Sequence, residues 1–131
     1  MASHILVVDD ERDAFELFRR RFRGELKRGE YEIEFAISGS EALDKLEEQG
    51  SDKTLLVVSD IAMPGMTGLE LLQEIKGRWP LLRVLIMTAF GDEETRQRAI
   101  SLGADDLFSK PVDFGMFKDT VRRLAMPGET V

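Results

Sequence analysis

The chain has 131 residues, the size of one domain and long enough to bury a core without covalent staples. It contains no Cys and one His, His4, which excludes a disulfide framework, thiolate zinc sites, thiol catalysis, His-based metal clusters and serine-hydrolase triads. Hydrophobic residues make up 43% and charged residues 33%, the balance of a globular chain, and no apolar run approaches the roughly 20 residues of a membrane span. A net charge of −7 makes direct nucleic-acid binding unfavourable in bulk electrostatics. No signal peptide is visible, so a cytoplasmic protein without membrane contact is expected. Against the acidic background, Arg19, Arg20, Arg21, Arg23, Lys27 and Arg28 form a basic cluster. Its first reading is a solvated helix face, and its second a docking patch.

The hydrophobic pattern alternates between two periods. Ile5-Leu6-Val7-Val8 is a continuous apolar run, the mark of a strand covered on both faces. Phe15, Phe18, Phe22 and Leu26, widened by Ala14 and Leu17, follow at helical offsets. Glu32 to Ile37 alternates polar and apolar, as a half-exposed edge strand does. Ser40 is read as the cap of a second helix that ends before Gly50.

Leu55-Leu56-Val57-Val58 predicts another buried strand. Thr67-Gly68-Leu69-Glu70 has the spacing of a capping box, and Leu69, Leu72 and Ile75 continue a helix that Pro80 closes. Val84-Leu85-Ile86-Met87 is a third buried run, followed by a helix from Asp92 to Gly103. Leu107-Phe108-Ser109 is a short last strand, and Asp113 caps a last helix carrying Phe117, Val121 and Leu124. Five β–α units of this kind imply a parallel sheet with helices on both faces. Residues 126–131 are expected to be a frayed tail or the start of a linker, with the domain itself spanning 1–125.

In such folds the ligand site lies beyond the carboxyl ends of the strands. Asp9, Asp10 and Glu11 follow the first run, Asp60 the third strand, Thr88 the fourth, and Lys110-Pro111 the fifth. Taken singly, each is more often a helix cap, a strand terminus or a surface charge. Their joint occurrence in chain order is what carries meaning. Three carboxylates in one crevice either raise a pKa or take up a cation. With oxygen donors only, that cation is Mg²⁺. Mg²⁺, an ammonium and a hydroxyl around one aspartate make a site for a phosphoryl group, with Asp60 the best-placed nucleophile.

At these residues the chain resembles the receiver domain of a two-component response regulator. The matching segments are Ile5–Glu11, Ser59–Gly68, Met87-Thr88-Ala89 and Gly103–Pro111, and the resemblance extends over about residues 4 to 125. It implies a flavodoxin-like doubly wound sheet of five parallel strands, order 2-1-3-4-5, with five helices. It implies that Asp60 accepts the phosphoryl group from a sensor histidine kinase or phosphotransfer protein. Mg²⁺ would be held by Asp10 and Asp60 directly, by Asp9 through water and by the backbone carbonyl of Ala62. Lys110 would contact the phosphoryl oxygens, and Thr88 would bond them and draw its loop inward. The Lys110–Pro111 peptide would be cis, in keeping with the restriction of cis bonds to X–Pro. The responding face would be formed by residues 92–125, which can also support a homodimer. The basic cluster would face the kinase.

Four positions depart from the family pattern. Leu107 stands where the family usually has an aromatic residue three positions before the Lys. Phe108 cannot replace it, because neighbours on a strand point to opposite faces. Signalling is then expected to rest on the Thr88–Glu93 loop, and Leu107→Tyr to strengthen the phosphorylation-dependent shift. Val112 stands where Phe is common. Ala62 and Phe90, two residues after Asp60 and Thr88, offer no side-chain hydrogen bond to a hydrolytic water, which predicts slow autodephosphorylation.

Readings from other classes fail on named residues. A haloacid-dehalogenase-type phosphatase needs an acid where Ala62 stands. A flavodoxin's flavin phosphate would be repelled by Asp9-Asp10-Glu11, and the Gly-Lys-Ser/Thr of a P-loop is absent. The remaining alternative is a receiver kept only for docking or dimerisation.

Overall fold

The continuous apolar runs become the middle of a parallel sheet, and the residues that interrupt them become its rim. A computed structural model describes residues 3–50, 53–89 and 91–125. Its strands are β1 (Ser3–Val8), β2 (Tyr31–Ala36), β3 (Thr54–Asp60), β4 (Arg83–Thr88) and β5 (Asp106–Ser109), in the order β2-β1-β3-β4-β5. Every pairing is parallel. The helices are α1 (Arg12–Arg21), α2 (Arg23–Lys27), α3 (Gly39–Gln49), α4 (Gly68–Arg78), α5 (Glu93–Ser101) and α6 (Phe114–Ala125).

Alternation along each strand sends side chains into two helical layers. Leu6, Val57 and Ile86 meet Leu43 and Leu46 of α3 and Leu71, Leu72 and Ile75 of α4. On the other face Ile5, Val7, Leu56 and Val58 meet Phe15 and Phe18 of α1, Phe22, and Phe117 and Val121 of α6. That second layer is an aromatic one. Phe18, Phe22, Phe114 and Phe117 lie mostly edge to face, at centroid distances of 5.4–6.3 Å. This geometry adds roughly 0.5–1.5 kcal/mol per pair to the burial of the rings.

The wound architecture and strand order are as expected, but the described residues form six helices where five were expected. The predicted first helix is two. The backbone leaves helical geometry at Phe22, with φ −102° and ψ 15°, and resumes in the short α2. The break falls where the Phe22 ring is completely buried against Phe18, Tyr31, Phe114 and Phe117. Seating that ring fixes the direction in which the chain turns toward β2.

A second difference is local. Ser38, not Ser40, caps α3: its hydroxyl accepts from Glu41 N–H at 3.1 Å, and the Glu41 carboxylate accepts from Ile37 N–H at 3.2 Å. Ser40 lies inside the first turn and is exposed. The Thr67–Glu70 capping box forms as expected. The expected tail at 126–131 lies outside the described residues. Among the described residues no helix is long and apolar enough to cross a membrane.

Candidate functional site

The topology reverses at β1, whose neighbours β2 and β3 lie to either side, so the crevice opens at the carboxyl ends of β1 and β3. Val8 pairs with Ser59 in register, which sets the next residues, Asp9 and Asp60, abreast. Both are buried although both are acids, at 4% and 7% exposure. Burial at this cost demands partners. Asp9 Oδ1 accepts from Glu11 N–H at 2.9 Å, and Asp60 Oδ1 accepts from Ala62 N–H at 3.3 Å. The remaining oxygens share one cation: Lys110 Nζ donates to Asp60 Oδ2 at 3.0 Å and lies 3.4 Å from Asp9 Oδ2.

Lys110 reaches across from the far side of β4. Its backbone N–H donates to the Thr88 carbonyl at 2.9 Å, which seats the Lys110-Pro111 segment on the end of β4. The Lys110–Pro111 peptide is cis. Thr88 itself is completely buried at the end of β4, one residue beyond Met87, the register partner of Asp60.

The electrostatics follow from burial. Desolvation pushes the Asp9 carboxyl above its ordinary range, Asp60 adds to that, and the Glu11 N–H and Lys110 oppose it without cancelling it. Burial alone would lower the Lys110 ammonium. The hydrogen bond to Asp60 and the charges of Asp9 and Asp60 outweigh it and raise its pKa. Two carboxylates against one ammonium leave one negative charge uncompensated in the crevice. The donor set is all oxygen. These residues therefore suit a hard divalent cation such as Mg²⁺, which binds through one or two carboxylates and keeps several waters. Among the described residues no three His, Cys, Asp or Glu side chains form a ready-made cage, and Mg²⁺ needs none.

Of the residues singled out in the sequence, Asp9, Asp60 and Lys110 are brought into direct contact. Asp10 stays exposed on the rim beside them. Ala62 is exposed, and its N–H is engaged by Asp60. Leu107 is buried in the layer of α3 and α4 with Ile86 and Ala99. Phe108 faces the other way onto Phe117, at 5.3 Å, as alternation required. Phe90 lies outside the described residues. A cavity of about 440 Å³ opens beside the acidic pair, between α1 and the start of α6, with Ala14, Leu17, Val112 and Phe114 among its walls.

Two residues were not recognised from sequence as part of the site. Ser59, which ends the apolar run 55–58, is buried behind Asp60, and Gly68 was read as part of a capping box and of the matching segment Ser59–Gly68, with no role at Asp60. The polar residue at a core position was the available signal for Ser59. Nothing in a single sequence marks the close approach at Gly68.

Comparison with known proteins agrees with this geometry. The response regulator receiver domain family matches residues 5–122. The chain belongs to that family.

The transcriptional regulatory protein ZraR of Salmonella typhimurium is 38% identical over 127 residues, 96% of this chain but 27% of its own length. The response regulator RppA of Synechocystis is 37% identical, over 82% of this chain and 44% of its own. The chain thus spans about a quarter to under a half of the relatives it matches. A response regulator receiver domain protein from Clostridium thermocellum superposes with a TM-score of 0.83 at 27% identity, covering 93% of each chain. The CheX–CheY–BeF3–Mg complex of Borrelia burgdorferi gives 0.84 at 26% identity, over 95% of this chain and 90% of that one. Receiver domains are the switch modules of two-component response regulators. They generally bind Mg²⁺ and typically act as switches, not as catalysts on other molecules.

Proposed function

We propose that Asp60 is the phosphoryl acceptor of this receiver domain. The observation that carries the reading is the Lys110 ammonium, held from a different strand at 3.0 Å from Asp60 and 3.4 Å from Asp9. One Asp60 oxygen attacks the phosphorus of a phosphohistidine on a sensor histidine kinase or phosphotransfer protein. The new O–P bond forms as the N–P bond breaks, and the imidazole leaves. Lys110 orients the carboxylate before transfer and neutralises phosphoryl oxygens after it. Asp9, Asp10, Asp60 and the Ala62 carbonyl would hold Mg²⁺, which supplies further neutralisation of those oxygens when bound. The chain thereby promotes its own phosphorylation and dephosphorylation and no other reaction.

The added phosphoryl charge needs new partners. Thr88 supplies a hydroxyl, and drawing it inward shifts the population of conformers on the face formed by α5, β5 and α6, residues 92–125. That face then controls an output domain or partner, or a homodimer. The domain acts in the cytoplasm and binds no nucleic acid itself. The basic cluster is partly tied down in the fold: Arg19 sits 4.8 Å over the Phe35 ring and Arg28 pairs with Glu30. Arg21 likewise lies 5.7 Å over the Phe114 ring, whereas Arg20, Arg23 and Lys27 are exposed and are the residues offered to the kinase. Charge reversal at these three is expected to slow phosphotransfer from the kinase, and unchanged rates would discard the docking role.

The test is intact mass after incubation with acetyl phosphate and Mg²⁺. A single phosphoryl adduct that disappears in Asp60→Asn is expected. No adduct, with this donor or with a phosphorylated kinase, would leave only a docking role. A long-lived adduct is expected because Ala62 offers no side-chain hydrogen bond to water. Equally fast loss from wild type and from Ala62→Asn, Phe90→Glu would refute slow turnover.

A further inference from the structure

The acceptor's own peptide is held from the face opposite its carboxylate. Side chains alternate along β3, so Ser59 points into the layer of α3 and α4 while Asp60 points toward Lys110. Ser59 is 1% exposed, and its hydroxyl donates to the Asp60 carbonyl at 2.9 Å. Gly68, the first residue of α4, closes on the same carbonyl. A Cβ there would stand 1.9 Å from Asp60 O, 2.7 Å from Asp60 C and 2.8 Å from Ile61 Cα. All three are backbone atoms and cannot rotate away. The Gly68 N–H also donates to the Ile61 carbonyl at 2.9 Å. The helix start itself is pinned by the reciprocal Thr67–Glu70 bonds at 2.9 and 3.2 Å. Hydroxyl, glycine and capping box thus form one support behind the peptide that carries the reacting carboxylate.

We infer that Ser59 and Gly68 are positioning residues for phosphoryl acceptance, fixing the Asp60 peptide so that its carboxylate keeps its place between Lys110 Nζ and the Ala62 N–H. The inference rests on the acceptor role proposed for Asp60. Any side chain at position 68 requires the start of α4 and the Asp60 carbonyl to move apart, from a Cβ contact of 1.9 Å to at least 3.0 Å. A misplacement of about 1 Å at a reacting group costs on the order of 10²-fold in rate. Losing one neutral hydrogen bond at Ser59 costs less, about three- to tenfold.

The experiment follows initial phosphorylation rates by intact mass across acetyl phosphate concentrations with Mg²⁺, and records the Ala62 amide resonance by NMR. The full chain is used as wild type, Gly68→Ala, Ser59→Ala and Ser59→Thr. The maximal rate is expected to fall about 10²-fold in Gly68→Ala and about three- to tenfold in Ser59→Ala. The half-saturating donor concentration should not move, and Ser59→Thr should restore the rate. The Ala62 amide should shift in both Ala variants, while the Thr95 amide at the start of α5 stays in place.

Wild-type rates with an unmoved Ala62 amide in the Ala variants overturn the inference, as does equal loss in Ser59→Ala and Ser59→Thr. Should Gly68→Ala not fold, the two Ser59 variants decide. If the wild type itself takes no phosphoryl group, the acceptor reading fails. The Ala62 amide then decides the positioning alone: a shift supports it and no shift overturns it.

Discussion

Helices α4 and α5 lie in the same layer, one after the other along the chain, yet they are held by different means. α4 buries Leu71, Leu72 and Ile75 completely and butts Gly68 against the Asp60 peptide. Of the nine residues of α5, Ala99 alone is buried, and Ile100 is 42% exposed. Polar contacts do the rest. Arg96 donates to the Leu107 carbonyl at 3.0 Å and pairs with Asp106 at 2.8 Å, and Ser109 donates to the Gly91 carbonyl at 3.3 Å. Each fully buried Leu or Ile contributes about 1.5–3 kcal/mol, whereas a partly exposed ion pair contributes about 0.2–1 kcal/mol. The helix behind Asp60 is therefore anchored, and the helix beyond Thr88 is only tethered. A switch needs both: a fixed site to read the phosphoryl group, and a weakly held element whose low-energy openings can be biased.

Core truncation should separate the two helices most strongly. Ile75→Ala should lower unfolding free energy by about 2–5 kcal/mol. Ala99→Gly, the harshest small change available to α5, should lower it by only about 1 kcal/mol. Equal losses in urea melts would erase the distinction between the two helices.

A smaller effect is expected at the tether. Arg96 is 44% exposed, so Arg96→Gln should change global stability by less than about 1 kcal/mol. Amide exchange across residues 93–101 should nevertheless run about two- to fivefold faster, with 68–78 unaffected. Uniform acceleration in both segments would mean that α5 does not open by itself.

The smallest effect is a pH dependence at the start of α5. α4 is capped by the Thr67 hydroxyl together with the Glu70 carboxylate, and α5 by the Asp92 carboxylate, which accepts from Thr95 N–H at 2.8 Å. Its side-chain and backbone hydrogen bonds with Thr95 hold Asp92 below its ordinary value of 3.8. A depressed carboxylate stabilises above its unfolded pKa and loses that contribution as pH falls through the folded value. Protection of the first α5 amides should therefore drop as pH falls below about 4, and Asp92→Asn should flatten the response. An unchanged pH response in Asp92→Asn would argue against a local cap effect.

Much of this was legible along the chain because periodicity reports burial directly. Runs such as Ile5–Val8 and Val84–Met87 can only be strands covered on both faces. The residues after them, Asp9, Asp60, Thr88 and Lys110, are forced to the rim by a parallel order. The break at Phe22 was not legible: the offsets Phe15, Phe18, Phe22, Leu26 continue smoothly, and only the seating of one ring among four others turns the chain. The α3 cap moved from Ser40 to Ser38 because two serines two residues apart satisfy the same local rule, and the entry from β2 selects between them.

The sequence by itself determined the strand order's raw material, the acidic rim, the single ammonium opposite it and the absence of Cys chemistry, since these depend on residue type and spacing. Tertiary structure alone decided which carboxylates share that ammonium. Asp9 and Asp60 do, through the β1–β3 register, while Asp10 faces out. It also decided that Ser59 and Gly68 stand behind the Asp60 peptide, and that α4 is anchored where α5 is tethered. Those are distances between residues remote in the chain or on opposite faces of a strand, and no local pattern carries them.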